Sequence, residues 1–160
     1  MGQKDILIAF DGSEHALRAV TYAATRFALK DVKITLLYVL PNIPPEFWDD
    51  GHILSTAEKE ERQRVVDRWF ANQKAVLLPL FGKARGIFNE NGIGNEQVEA
   101  KMVSDVTDVA EAVLEVATAG GYGTVVIGRR PATHKARGFA GSVVTALLNR
   151  AHGLAVCVVE

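Results

Sequence analysis

Apolar and polar residues follow each other along this chain in blocks that predict strands and helices in alternation. Residues 5–10 (DILIAF) and 33–40 (KITLLYVL) are short apolar runs bounded by turn residues, which is typical of strands buried on both faces. Between them, apolar residues recur at helical spacing from Glu14 to about Ala28, and Ser13 stands where an N-cap is expected. A strand, a helix and a strand in so short a stretch predict a parallel pair joined by a right-handed crossover.

The middle of the chain predicts a long helical region. Prolines in residues 41–51 (PNIPPEFWDDG) prevent regular strand pairing there. Beyond them an apolar stripe continues at helical spacing as far as Asn91 and Gly92, which form a C-cap signal. Pro79 removes a backbone donor inside this stripe, so we expect two helices, over residues 56–78 and 80–91. Their length suggests a surface for a partner.

The second half of the chain returns to alternating strands and helices. Residues 96–103 (EQVEAKMV) alternate apolar with polar, as in a strand exposed on one face near a sheet edge. Thr107 or Asp108 then caps a helix. The apolar positions spaced for burial in that helix are Val109, Ala112, Val113 and Val116. The glycines at 120, 121 and 123 precede a strand, so they are interpreted as a turn and not as a nucleotide fingerprint. The remaining elements are a strand at 124–127, a helix at 142–150 and a strand at 154–159.

The full pattern predicts an α/β fold in one domain spanning residues 1–160, with an open parallel five-stranded sheet and helices on both faces. A hydrophobic content of 48% is enough for a sizeable core. A formal net charge of −1 argues against a nucleic-acid or membrane-surface binder, whose footprint is a strongly basic face. The N-terminus carries only a short apolar stretch before Asp11, which favours a cytoplasmic protein without a signal peptide or spanning helix.

Cysteine and histidine usage indicates neither a disulfide nor a metal site. The single cysteine, Cys157, lies within the apolar run LAVCVV and is interpreted as a small buried hydrophobe. The four histidines, at positions 15, 52, 134 and 152, show no spacing typical of zinc ligands. His15 and His134 have no partner recognisable in the sequence, so we expect both to be solvated.

The candidate chemistry lies at Asp11 and in residues 127–143 (IGRRPATHKARGFAGSV). Ligands of open parallel sheets bind beyond the carboxyl ends of the strands, where the strand order reverses. Asp11 after the first strand and Gly128 after the fourth are therefore predicted neighbours. The helix that starts at Gly141 and Ser142 offers unpaired N–H groups and a dipole that favour an anion such as phosphate.

The loop after the fourth strand is basic. It carries Arg129, Arg130, Lys135 and Arg137 and no acidic residue. The whole chain has 18 basic against 19 acidic side chains, so this charge is a local concentration. It fits either an anion site or an ordinary solvated surface, and the loop alone leaves both open.

Three segments carry a resemblance to a known family: ILIAFDGSEHALRAVTYAA near the start, and TVVIGRR and GSVVTALLNRAHGLAVCVV near the end. They resemble the universal stress protein family, over most of the chain and least between Pro41 and Asn95. The resemblance implies that family's adenine nucleotide alpha hydrolase-like fold, a three-layer sheet of five parallel strands in the order 3-2-1-4-5. It also implies a homodimer through the last strand. Ala155–Val159 is apolar and unprotected by proline or charge, as a pairing edge would be.

The ATP-binding branch of this family carries Gly, two residues, Gly, nine residues, Gly, and then Ser or Thr. Gly128, Gly141 and Ser142 match that motif here, but Pro131 stands at the second glycine. Proline offers no N–H and fixes its own φ, and one missing phosphate hydrogen bond would cost about 1.5–3 kcal/mol. The basic side chains of the loop could offset that loss.

The resemblance implies roles for individual residues. Asp11 would accept a hydrogen bond from the adenine amino group, Val39 would meet adenine through its backbone, and Gly128 would lie under the ribose. The N–H groups of Gly141, Ser142 and Val143, with the Ser142 hydroxyl, would hold phosphates. The candidate nucleotide-binding residues are Ala9, Asp11, Val39, Ile127, Gly128, Arg129, Arg130, Gly141, Ser142 and Val143. The implied ligand is ATP or another adenine nucleotide, with or without Mg²⁺.

Other interpretations of these residues stay open. Ser142 also fits an ordinary N-cap, and Asp11 a turn carboxylate. The main hypothesis is a stress-response protein that acts as a nucleotide-dependent regulatory or signalling module. The alternative is a dimeric universal stress protein that binds no nucleotide and acts through protein partners. An enzyme, either a slow ATPase or a phospho-acceptor domain of the response-regulator type, is disfavoured. A phospho-acceptor domain needs clustered acidic residues for magnesium, and Asp11 stands alone. An ATPase needs a positioned base, and none has a partner recognisable in the sequence.

Overall fold

The computed structural model describes residues 4–40, 51, 53–129 and 142–160. Strands and helices alternate over these residues much as the apolar blocks predict. The elements are β1 (Ile6–Ala9), α1 (Glu14–Arg26), β2 (Ile34–Val39), α2 (Thr56–Glu90), β3 (Val98–Val103), α3 (Val109–Ala119), β4 (Thr124–Gly128), α4 (Ser142–Arg150) and β5 (Ala155–Val159). A short 3-10 turn, Asn95–Gln97, leads into β3. Residues 41–50 and 130–141, which hold most of the predicted proline-rich and basic loops, lie outside the described residues.

The five strands form one parallel sheet in the order β3-β2-β1-β4-β5. The predicted α/β fold and its strand order are therefore confirmed. The chain runs outward from β1 to β3 and then returns to the other side of β1 with β4, so the order reverses between β1 and β4. Ala9 pairs with Leu37 of β2 and with Ile127 of β4, which brings the carboxyl ends of these three strands to one edge.

Helices cover both faces of the sheet, and the sheet separates the core into two clusters, one on each face. Successive side chains of a strand point to opposite faces, so Ile8 packs with α1 and α2 whereas Leu7 packs with α3 and α4. Both side chains are fully buried. Phe10, just after β1, contacts Phe81 of α2 with the ring centroids 5.5 Å apart. The result is the predicted three-layer arrangement.

The long helix α2 is continuous, so the expected division at Pro79 is wrong. Proline removes the hydrogen bond to the carbonyl of Ala75, but both residues are exposed and water can satisfy that oxygen. Leu77 and Phe81, on either side of the proline, are buried in the core. Burial of the two flanking turns outweighs the local cost of proline, about 3 kcal/mol in a helix interior.

The ends of α2 follow the sequence signals. Ser55 and Glu58 form a reciprocal capping box at the start, and Asn91 caps the end before Gly92, whose φ is 81°. The buried residues of the helix are Leu77, Phe81, Ala84 and Phe88. No residue among 56–76 is buried, although the half-buried Phe70 packs against the core, so α2 is anchored mainly through its second half.

The structure agrees only in part with the smaller expectations for β3, Val109 and Cys157. β3 lies at one edge of the sheet, as predicted, but its exposure does not alternate, because Ala100 is exposed as well as Glu99 and Lys101. The helical spacing predicts that Val109 is buried, but it is 42% exposed because it is the first residue of α3, at the strand-end edge. Cys157 is half-buried against the α1 side of the core, and that burial raises the pKa of its thiol.

Over the described ranges, no helix is both long and apolar enough to cross a membrane.

Candidate functional site

A cavity of about 390 Å³ opens at the carboxyl ends of β1, β2 and β4. It lies on the α3 and α4 side of the sheet, where the strand order reverses, and its size is that of a small-molecule site. Its walls are aliphatic: Ala9, Leu37, Val39 and Ile127 from the strands, Val109 and Val113 from α3, and Val143 and Val144 from α4. Phe10, Asp11, His15, Ala16 and Gly128 complete the lining. The prediction that Asp11 and Gly128 are neighbours is confirmed.

A polar cluster of three side chains stands at the start of α1. Ser13 is the N-cap of the helix, and its hydroxyl oxygen accepts a hydrogen bond from the Ala16 N–H at 3.2 Å. The Ser13 N–H donates to Asp11 Oδ1 at 2.9 Å, and the Ser13 hydroxyl donates to the same oxygen. Asp11 is therefore a turn carboxylate, one of the two interpretations that the sequence left open, and it also lines the cavity.

His15 belongs to the same cluster, so the expectation that it is solvated is wrong. Its Nε2 lies 2.9 Å from Ser13 Oγ and 3.6 Å from Asp11 Oδ2. The His15 side chain is only 16% exposed, against 46% for Asp11. Sequence reasoning missed it because the contact runs between residues two and four apart across an N-cap. Spacing alone does not distinguish that geometry from a solvated first turn.

Tyr38 of β2 adds a neutral group near this cluster. It is half-buried and packs against the α1 side of the core. Burial first, and then the nearby Asp11 carboxylate, raise the pKa of the Tyr38 hydroxyl above its usual value. The phenol therefore stays protonated throughout the physiological range, and Asp11 supplies negative charge at this corner of the cavity.

Gly128 lies where a side chain cannot. A β-carbon on this residue would stand against the carbonyl oxygen of His15, 2.5 Å from its carbonyl carbon and 3.1 Å from the Ala16 nitrogen. These are backbone atoms of the first turn of α1, which cannot rotate away as a side chain can. The end of β4 thus needs glycine for its packing against α1, whatever the cavity holds.

The other predicted site residues differ in where the structure places them. Ala9, Val39, Ile127 and Val143 line the cavity. Arg129 does not: its N–H donates to the Val159 carbonyl at 2.7 Å, and its guanidinium lies 3.0 Å from the Glu160 carboxylate. Arg130 and Gly141 lie outside the described residues, as do Pro131, His134, Lys135 and Arg137. Ser142 is described only as the first residue of α4.

A second depression lies between α3 and α4, away from the strand ends. It is wide and open to solvent and is lined by Glu111, Glu115 and Arg150 among others. Arg150 also forms an ion pair with Asp108, the N-cap of α3, at 2.7 Å. This pair joins two helices. Among the described residues, no group of three histidine, cysteine or carboxylate side chains is placed to hold a metal ion.

Comparison with known proteins relates the chain to one family and one fold. Residues 3–159 match the model of the universal stress protein family. A sequence comparison with curated proteins gives no match. Three similar structures are a universal stress protein family member from Burkholderia pseudomallei, a universal stress protein in complex with cAMP, and the universal stress protein from Archaeoglobus fulgidus in complex with dAMP.

The similarity to these structures extends over the whole chain. The first is 22% identical, with 99% of this chain and 96% of that chain covered and a TM-score of 0.61. The second is 18% identical, with 99% and 97% covered and a TM-score of 0.64. The third is 19% identical, with 100% of both chains covered and a TM-score of 0.60. At these identities the likeness is evidence for the fold.

Proposed function

Because the chain belongs to the universal stress protein family, we propose that it binds an adenine nucleotide, ATP or AMP, at the carboxyl ends of β1 and β4. Bound nucleotide would make it a regulatory or signalling module of the stress response. The single observation that carries this proposal is the aliphatic cavity with the Asp11 carboxylate at its polar corner. The family members that bind cAMP and dAMP support the ligand class.

The cavity suits a purine base for two reasons. Aliphatic side chains from the sheet, α3 and α4 form its walls, and such walls suit the faces of a flat aromatic ring. An ionised carboxylate is only an acceptor, so Asp11 can pair with an exocyclic amine but not with a carbonyl oxygen. Asp11 Oδ1 is used by Ser13, which leaves Oδ2 as the atom for the ligand amine.

The phosphates would lie at the start of α4. Val143 and Val144, in the first turn of this helix, line the cavity, so the N-terminal end of α4 is next to it. Unpaired N–H groups and the helix dipole favour an anion there. The N–H groups of Gly141, Ser142 and Val143 and the basic side chains of Arg129 and Arg130 are the proposed phosphate contacts. Arg129 would have to exchange Glu160 for phosphate, and Mg²⁺ would arrive with ATP.

We also propose a homodimer through β5 in the cytoplasm. Ala155–Val159 forms an edge strand of the sheet, and Val156, Cys157 and Val158 are only half-buried in the single chain. An apolar edge of this kind offers unpaired backbone groups to a second copy. Light scattering at micromolar concentration should report a dimer, and a monomer would contradict this part of the proposal.

An alternative function has the same fold but involves no nucleotide binding. Pro131 at the second glycine of the motif favours a dimeric universal stress protein that binds no nucleotide and acts through protein partners. Titration calorimetry of AMP, and of ATP with and without Mg²⁺, into nucleotide-free protein decides between the two. Absence of heat at hundreds of micromolar ligand would reject nucleotide binding. Gly141→Val should abolish binding without unfolding the protein if the start of α4 holds phosphate.

A further inference from the structure

We propose that His15 is a positioning residue for Asp11. Together with Ser13, it holds the carboxylate so that Oδ2 meets the ligand amine, and its protonation draws that oxygen away. The inference rests on the proposed nucleotide site. It adds that binding of the base weakens as the pH falls, because His15 acts on the ligand through the Asp11 carboxylate.

The hydrogen bonds of Ser13 define the neutral tautomer of His15. A serine hydroxyl has one proton to donate and two lone pairs to accept with. Its proton goes to Asp11 Oδ1, because a carboxylate oxygen can only accept. One lone pair accepts the Ala16 N–H, so the contact at 2.9 Å to His15 Nε2 needs a proton on that nitrogen. The neutral imidazole is therefore the Nε2–H tautomer, and every hydrogen-bonding site of the Ser13 hydroxyl is occupied.

The same imidazole nitrogen faces the second carboxylate oxygen. His15 Nε2 lies 3.6 Å from Asp11 Oδ2, beyond the 2.7–3.2 Å of an N–H···O hydrogen bond. With a neutral ring, Oδ2 therefore keeps its acceptor capacity for a ligand. A protonated ring places a positive charge beside that oxygen, and the resulting ion pair competes with the neutral amine for it. Protonation of His15 thus lowers affinity for an amino-substituted base.

Among the residues that the structure describes, the other charged groups around the cavity do not duplicate this effect. Tyr38 on β2 faces Asp11 but stays protonated across the physiological range. At the end of β4, Arg129 is paired with Glu160, and on α3, Asp108 is paired with Arg150 of α4. Glu14 and Glu111 are exposed, in the first turns of α1 and α3. Histidine is the side chain whose charge ordinarily changes between pH 5 and 8.

Adenosine is the appropriate probe because the phosphate of AMP would change the pH dependence of the affinity in two ways. This phosphate titrates near pH 6, and an imidazolium attracts phosphate, which opposes the predicted trend. Calorimetric titration of adenosine into the full chain between pH 5.5 and 8 should show about a fivefold to tenfold weaker affinity at the acid end. His15→Gln should remove that dependence, and the matched control Glu14→Gln, on the same helical turn, should retain it. Equal pH profiles for wild type and His15→Gln would overturn the inference.

A second measurement needs neither a ligand nor a variant. Nitrogen-15 NMR of the imidazole ring distinguishes the Nε2–H tautomer from the Nδ1–H tautomer in the ligand-free protein. We expect Nε2–H at pH 8, and the Nδ1–H form would overturn the inference even if adenosine binds. Conversely, the expected tautomer with no adenosine or AMP binding at any pH would reject the proposed function and, with it, the role of His15.

Discussion

Gly128 at the end of β4 packs directly on the backbone of His15 in the first turn of α1. This contact fixes the turn that carries Asp11 and Ser13 relative to the end of β4. The packing of β4 on α1 therefore determines where the Asp11 carboxylate lies in the cavity. A residue that the family resemblance assigns to the ribose therefore has a structural role that is independent of any ligand. The two roles can be separated by experiment.

Gly128→Ala should destabilise the protein. Its β-carbon would meet backbone atoms of His15 and Ala16, so either β4 or α1 must shift. We expect a loss of about 1–3 kcal/mol in the free energy of unfolding, measured by urea denaturation. Gly86→Ala is the matched control, since nothing lies within 4 Å of its β-carbon position in α2 and alanine favours a helix by about 1 kcal/mol. Equal stabilities of the two variants would contradict the packing role.

Val109→Phe should block the cavity without unfolding the protein. Val109 opens α3, lines the cavity and is 42% exposed, so a larger ring has room to turn into the space proposed for the base. We expect at least a tenfold loss of AMP affinity by calorimetry, with the thermal midpoint little changed. Val76→Phe, on a 67% exposed position of α2, is the control and should bind normally. Normal AMP binding by Val109→Phe would mean that the base lies elsewhere.

Pro79→Ala tests how α2 stays continuous. The substitution restores an N–H to the carbonyl of Ala75 in an exposed stretch of helix, without removing a buried contact. We expect the free energy of unfolding to rise by about 1–3 kcal/mol. Lys74→Ala, another exposed position of α2, should change it little. A Pro79→Ala variant less stable than wild type would show that the core packing of Leu77 and Phe81 needs the proline.

The apolar pattern of the sequence is sufficient to predict the five strands. β1, β2, β4 and β5 are continuous apolar runs, and β3 is recognised by its alternation of apolar and polar residues. The strand order came from the family resemblance, and the proximity of Asp11 and Gly128 followed from the general rule on strand ends. The expectations at Pro79 and at His15 failed for physical reasons. The hydrogen bond lost at Pro79 can be predicted from the local sequence. The burial of Leu77 and Phe81, which outweighs that loss, depends on tertiary packing. The contacts of His15 with Ser13 and Asp11 depend on the side-chain rotamers in the turn before α1, which the sequence does not determine.

Side-chain pairs between distant elements could not be predicted at all. Arg129 reaches Glu160 only because β4 and β5 are neighbours, and nothing in a basic loop indicates that one of its arginines is already paired. The nucleotide-binding roles of Ala9 and the other lining residues stay predictions. Their positions agree with those roles, but an aliphatic wall is also what any buried strand end would present.

Asp108 gives a prediction about pH. The hydrogen bond from Arg150, followed by that from the Glu111 N–H, holds the pKa of Asp108 below its usual value. A depressed folded pKa stabilises the protein above the unfolded value, near 3.9, and that contribution is lost as the pH falls through the folded value. Asp108→Asn keeps a capping residue but loses the charge. Its thermal midpoint should be lower than that of wild type at pH 7, and the two should converge towards pH 2. A constant difference over that range would contradict the ion-pair explanation.

Asp11→Asn tests the polar corner of the cavity most directly. The amide oxygen can still accept from the Ser13 N–H, so the turn and the start of α1 should survive, and the thermal midpoint should stay close to that of wild type. What is lost is the charged acceptor proposed for the adenine amine, since hydrogen bonds to charged groups contribute about 1.5–3 kcal/mol. We therefore expect AMP to bind about tenfold to a hundredfold more weakly by calorimetry. Inosine monophosphate, which has a carbonyl oxygen in place of the amine, should bind wild type poorly and lose little or nothing in the variant, because an amide can also donate. If Asp11→Asn weakens both nucleotides equally, Asp11 acts through the shape of the turn and not through the base.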